Sequence, residues 1–127
     1  MARILVAEDD AAVQSFVARA LGHAGHAVTA VDDGVQALEA LRRADYDLLI
    51  TDIVMPGLDG IGLALKVACD WPRLPILLMT GYAAERMRAH NLEEIIFRVV
   101  AKPFTLEQIC REAEAALARH GTVATAS

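Results

Sequence analysis

At 127 residues the chain has the length of one ordinary domain, and 12 Lys and Arg against 17 Asp and Glu leave a formal charge of −5, which argues against non-specific binding to nucleic acid or to an anionic membrane. Hydrophobic residues make up 55% and aromatics 5%, so the core is expected to consist mainly of Ala, Val, Ile and Leu. Cys69 and Cys110 are too few for a disulfide framework, Glu8, Asp9 and Asp10 end the first apolar run too early for a signal peptide, and no run is long enough to cross a membrane; a soluble, cytoplasmic protein is expected.

Short apolar runs alternate five times with segments of helical period. The first strand is predicted over 3–7, followed by a helix whose inward face carries Val13, Phe16, Val17, Ala20, Leu21 and Ala24. His23 and His26 bracket Gly25 at its end, where a cation is favourable and no ligand role is needed. The second strand covers 26–31, and the second helix carries Val35, Leu38 and Leu41. The third strand, 47–52, leads through Pro56-Gly57 to a helix around Ile61, Ala64, Leu65 and Ala68; Asp59 and Gly60 read as turn and helix-start residues. Trp71-Pro72 reads as a cover for the core. The fourth strand, 74–80, precedes a weaker helix near 83–90, and the fifth, 95–101, ends at Lys102-Pro103. In the last helix Leu106, Ile109, Cys110, Ala113 and Leu117 share a face, and Thr105 with Gln108 forms a capping box.

Continuous apolar strands imply cover on both faces, and alternating βα units imply an α/β fold with an open, doubly wound, mostly parallel sheet of five strands. Residues 1–120 form the domain and 121–127 a flexible tail. No linker or output domain is expected, so any output is a protein contact.

In such a sheet ligands bind outside the carboxyl ends of the strands. Those ends carry Glu8-Asp9-Asp10, Asp52, Thr80 and Lys102. Crowded carboxylates need a compensating charge, and a hard divalent cation with oxygen ligands supplies one. Lys102 adds a fixed positive charge and Thr80 a neutral donor, an arrangement suited to a phosphoryl group in transfer with Asp52 as nucleophile. Asp10 reads instead as the N-cap of the first helix. The four histidines share no metal-ligand spacing.

Ile4-Leu-Val-Ala-Glu-Asp-Asp10, Thr51-Asp-Ile-Val-Met-Pro56 with Asp59-Gly60, Thr80-Gly81 and Lys102-Pro103-Phe104 resemble, in order and spacing, the receiver domain of two-component response regulators over about residues 3–119. The resemblance implies a flavodoxin-like (βα)5 fold with strand order 2-1-3-4-5. It implies Asp52 as phosphoacceptor, Thr80 and Lys102 as phosphoryl contacts, and Mg2+ or Mn2+ held by Glu8, Asp9, Asp52 and the backbone carbonyl of Val54. It also implies a histidine kinase or histidine phosphotransfer protein as donor, a partner face on the fourth helix, fifth strand and last helix, and a monomer or weak homodimer.

Two positions depart from the family pattern. Glu8 stands where Asp is commoner, and Val99 stands where receivers carry the Tyr or Phe that rotates on activation. Phe97, two residues upstream, is expected on the same strand face as Val99. More narrowly the chain resembles CpdR-type single-domain regulators, which implies an adaptor for the ClpXP protease that phosphorylation turns off. Such regulators can end in Ala-Ala, whereas this chain ends Ala126-Ser127.

The alternatives are a receiver that never carries phosphate and acts as a constitutive adaptor, and an aspartyl-phosphate-forming phosphatase. Phosphatases of the haloacid-dehalogenase type need Asp-x-Asp-x-Thr, and Val54 stands where the second acid belongs. No turnover of an external substrate is expected, only self-phosphorylation and self-dephosphorylation. Tyr82, two residues after Thr80, is a candidate to shade the phosphoryl group from water.

Overall fold

The computed structural model describes residues 1–81, 92 and 95–126, with 119–126 described by backbone alone. The elements are β1 (Arg3–Ala7), α1 (Ala11–His23), β2 (Ala27–Val31), α2 (Gly34–Arg43), β3 (Leu48–Asp52), α3 (Gly60–Asp70), β4 (Ile76–Thr80), β5 (Arg98–Ala101) and α4 (Leu106–Ala126). The helix expected near 83–90, with Tyr82 and His90, lies outside the described residues. α4 runs to Ala126, past the boundary expected after His120, and no proline follows Gly121 to stop it.

All the strands are parallel and ordered β2-β1-β3-β4-β5, the expected flavodoxin-like order. Alternation along the strands divides the core into two layers. Ile4, Val6, Leu48, Ile50, Leu77 and Met79 face one way, onto Val17, Ala20 and Leu21 of α1 and Ile109, Ala113 and Ala116 of α4. Leu5, Ala7, Leu49, Ile76 and Leu78 face the other way, onto Ala37, Leu38 and Leu41 of α2 and Leu63, Ala64 and Val67 of α3. Each fully buried Leu or Ile contributes roughly 1.5–3 kcal/mol. Cover on both faces, expected for every strand, holds for β3 and β4 and for β1 beyond Arg3; β2 and β5 are sheet edges and only partly covered.

Several local expectations are met. Asp10 caps α1 by accepting from the amides of Ala12 and Val13, Asp59 caps α3 by accepting from Gly62, and Thr105 and Gln108 exchange the two bonds of a capping box. Trp71 is half-buried against the α2/α3 core.

One expectation is overturned. Phe97 does not share a face with Val99: it packs with the α1/α4 core, whereas Val99 packs with the α2/α3 core. β5 begins only at Arg98, so strand alternation does not reach back to Phe97, whose ring lies under the Arg98 guanidinium at 4.8 Å. Beyond the end of α1, His26 makes two contacts of its own. Its imidazole is nearly buried; Nδ1 accepts from the Ala2 amide at 3.1 Å and Nε2 meets Glu114 of α4 at 2.8 Å.

Candidate functional site

The carboxyl ends of β1, β3, β4 and β5 converge on one rim. Glu8 follows β1 and is fully buried, and its amide donates to the Val31 carbonyl at 3.1 Å. Asp9 beside it is exposed. Asp52 ends β3 with 7% exposure, and its Oδ1 accepts from the Ile53 amide at 3.0 Å. Thr80, buried, ends β4, and its carbonyl accepts from the Lys102 amide at 2.7 Å. Lys102 leaves β5 immediately before a cis Lys102–Pro103 peptide.

The Lys102 ammonium ties the site together, with Nζ 2.7 Å from Glu8 Oε1 and 3.2 Å from Asp52 Oδ2. Burial raises the Glu8 carboxyl from 4.5 to about 7; Lys102 pulls it down, and neighbouring Asp52 pushes it up. Burial alone would lower the Lys102 ammonium, but the two carboxylates outweigh it and hold it above its ordinary value.

One carboxylate oxygen from each of Glu8, Asp9 and Asp52 lies within 4.8 Å of the other two, a donor set and spacing that suit a single hard divalent cation. The structure therefore brings together the expected acids, acceptor and lysine at one point, with Thr80 on the adjoining strand end. Val54 lies in the loop after β3, half exposed, and borders the same opening.

That opening is a cleft of about 630 Å3 leading to Asp52 and Lys102 and walled by Ala12, Val13, Phe16, Val54, Pro103 and Phe104. The Phe16 and Phe104 rings meet at 6.2 Å between centroids. Phe16 was expected in the core; it is 40% exposed and lines the cleft instead.

Two contributors are not legible in the sequence. Gln14 of α1 donates from Nε2 to the carbonyls of Glu8 and Val31, both at 2.9 Å, and to Asp32 Oδ1 at 3.0 Å. A single polar residue in an amphipathic helix carries no mark of such a role; only its position between Val13 and Phe16 hints that it faces inward. Gly60 opens α3 as its sequence position suggests, but it also packs directly against the backbone of Asp52, whose carbonyl oxygen would lie 2.1 Å from a Cβ there.

The family profile of the response regulator receiver domain matches residues 4–114. The chain is 41% identical over 114 residues to the response regulator receiver protein CpdR of Brucella abortus, covering 90% of this chain and 95% of that one. It is 35% identical over 117 residues to the response regulator MprA of Mycobacterium leprae, covering 92% of this chain and 51% of MprA, so it spans about half of that relative. Its structure resembles that of the response regulator TrrA of Thermotoga maritima in complex with Mg(2+)-BeF. The TM-score is 0.84 at 26% identity, over 92% of this chain and 100% of TrrA.

Proposed function

The chain belongs to the response regulator receiver family, and on that premise we propose that it is a phosphorylation-controlled binding module whose phosphoacceptor is Asp52. The observation that carries this reading is the Lys102 ammonium shared between Glu8 and Asp52 at the mouth of an accessible cleft. The acceptor is a carboxylate with one oxygen bound by a backbone N–H and the other facing a fixed cation.

In this reading an Asp52 carboxylate oxygen attacks the phosphorus of a phosphohistidine in line. The new O–P bond forms as the P–N bond breaks, and the electron pair returns to the imidazole of the donor. Glu8, Asp9 and Asp52, with the Val54 carbonyl that the family resemblance adds, would hold Mg2+ or Mn2+, which would supply positive charge to the transferring group. Lys102 turns its ammonium from the acid pair to the phosphoryl oxygens, and the Thr80 hydroxyl donates to another. Both residues leave their resting places, which biases two conformations of the outer surface.

The apolar walls of the cleft, formed by Val13, Phe16, Pro103 and Phe104, favour a histidine kinase or phosphotransfer protein as donor, because its histidine must reach Asp52 past them. Turnover of an external substrate is no part of this reading; the group modified is the protein's own. The output is a protein contact in the cytoplasm. The similarity to CpdR supports the narrower reading of an adaptor for the ClpXP protease, active when unphosphorylated. No helix among the described residues is long and apolar enough to cross a membrane.

The test is intact-protein mass after incubation with a small phosphodonor and Mg2+. One phosphoryl adduct is expected on the wild type, and none on Asp52→Ala or without the metal. No adduct under any condition would favour the phosphate-independent adaptor, the alternative to which Val99 points.

A further inference from the structure

We infer that Gln14 is a positioning residue for the acidic pair, a neutral clamp that fixes the Glu8–Asp9 peptide and so sets where both carboxylates stand. This inference rests on the cation-assisted reading of the site.

Glu8 lies one residue beyond the end of β1, and its amide still reaches Val31 at the end of β2. A fully buried residue cannot leave its carbonyl unpaired without a cost comparable to a lost hydrogen bond. Gln14 supplies the donor: its Nε2 lies 2.9 Å from the Glu8 carbonyl and 2.9 Å from the Val31 carbonyl. The same nitrogen lies 3.0 Å from Asp32 Oδ1, and the Asp32 amide is in turn held by Gln36 Oε1 at 3.0 Å. Three oxygens around one nitrogen leave a single sensible orientation for the amide, since the flipped group would set oxygen against oxygen.

The clamp therefore reaches from α1 across the ends of β1 and β2 to the start of α2. It holds Glu8 from the backbone side, opposite the Lys102 ammonium on its carboxylate. Glu at this position would set another anion against Asp32. Glutamine offers two N–H donors and no charge. Partners that orient metal ligands from behind commonly contribute tenfold or more to affinity.

The test uses Gln14→Met, which keeps length and removes the donors, with Gln14→Ala as a second variant that suits a helix and lets water in. Mn2+ binding is followed by water-proton relaxation, phosphorylation rate is measured against Mg2+ concentration, and the Glu8 carboxyl and Lys102 ammonium are followed by NMR without metal. Both variants are expected to weaken Mn2+ binding about tenfold. They should raise the Mg2+ concentration needed for half-maximal rate by the same factor and leave the rate at saturating Mg2+ near wild type. Wild-type Mn2+ affinity in both variants, whatever happens to thermal stability, would overturn the inference. Should the wild type itself bind no Mn2+, the cation-assisted reading fails, and the metal-free spectra decide alone. Displaced Glu8 and Lys102 resonances in Gln14→Met then support the clamp, and unchanged ones overturn it.

Discussion

The amide of Gly60 donates to the Ile53 carbonyl at 2.8 Å, so the first turn of α3 is fastened to the residue that follows Asp52. The contact is close enough that a Cβ on Gly60 would stand 2.1 Å from the Asp52 carbonyl oxygen and 2.8 Å from the Ile53 Cα. Backbone atoms cannot yield as a flexible side chain can. Asp52 is thus held from its main-chain side by a helix and from its carboxylate side by Lys102.

Gly60→Ala is accordingly expected to destabilise the protein by at least about 2 kcal/mol, through forced separation of α3 from the end of β3. Urea unfolding at fixed pH reads this directly. A loss under about 0.5 kcal/mol would mean that α3 slides away at little cost.

The buried Glu8 carboxyl, raised from 4.5 to about 7, makes the metal-free protein pH-sensitive in a defined direction. Between those values the unfolded chain has released a proton that the folded chain keeps, so stability falls as pH rises. The contribution is full below pH 4.5 and gone above about 7, and amounts to roughly 3 kcal/mol. Replacing Glu8 by Gln should flatten this part of a stability-against-pH curve measured with chelator present. A slope that survives Glu8→Gln would assign the titration elsewhere.

A cation entering beside Glu8 must displace that proton. Apparent Mg2+ affinity should therefore rise about tenfold per pH unit below about 7 and level off above it. Calorimetry in buffers of different ionisation enthalpy would detect the released proton near pH 6. An affinity that is flat with pH would place Glu8 outside the coordination shell.

Phe97 sits in the α1/α4 core, on the opposite side of the sheet from Val99. It cannot stand in for the aromatic that receivers of the usual pattern carry at the position of Val99. Phe97→Leu should cost under about 1.5 kcal/mol and leave the Thr80 amide shift on phosphorylation unchanged. A Thr80 response lost with Phe97→Leu would assign Phe97 a part in switching.

The architecture and the meeting of charged residues at one rim were largely legible in the sequence, because short continuous apolar runs and charged strand ends are local signals. β1 has the boundaries its apolar run suggests, and Glu8, Asp9, Asp52 and Lys102 meet as strand ends should. Illegible were the features that depend on an approach from elsewhere in the fold. Gln14 has only its place between Val13 and Phe16 to set it apart from a solvent-facing glutamine, and Phe16 has the spacing of a core residue although it lines a cleft. β4 and β5 start two and three residues later than their apolar runs. Pro75, with no amide hydrogen to donate, precedes the first, and Phe97 turns toward the other core before the second.

Among the described residues the two core layers share no side chain, since alternate residues of each strand serve opposite sides. Substitutions in α1 or α4 and substitutions in α2 or α3 should therefore add nearly independently in their effect on stability. For a signalling protein this is freedom to diverge. The wall carrying Phe16 and Phe104 can change while the far layer keeps its packing, and the far layer can drift without altering the mouth of the cleft.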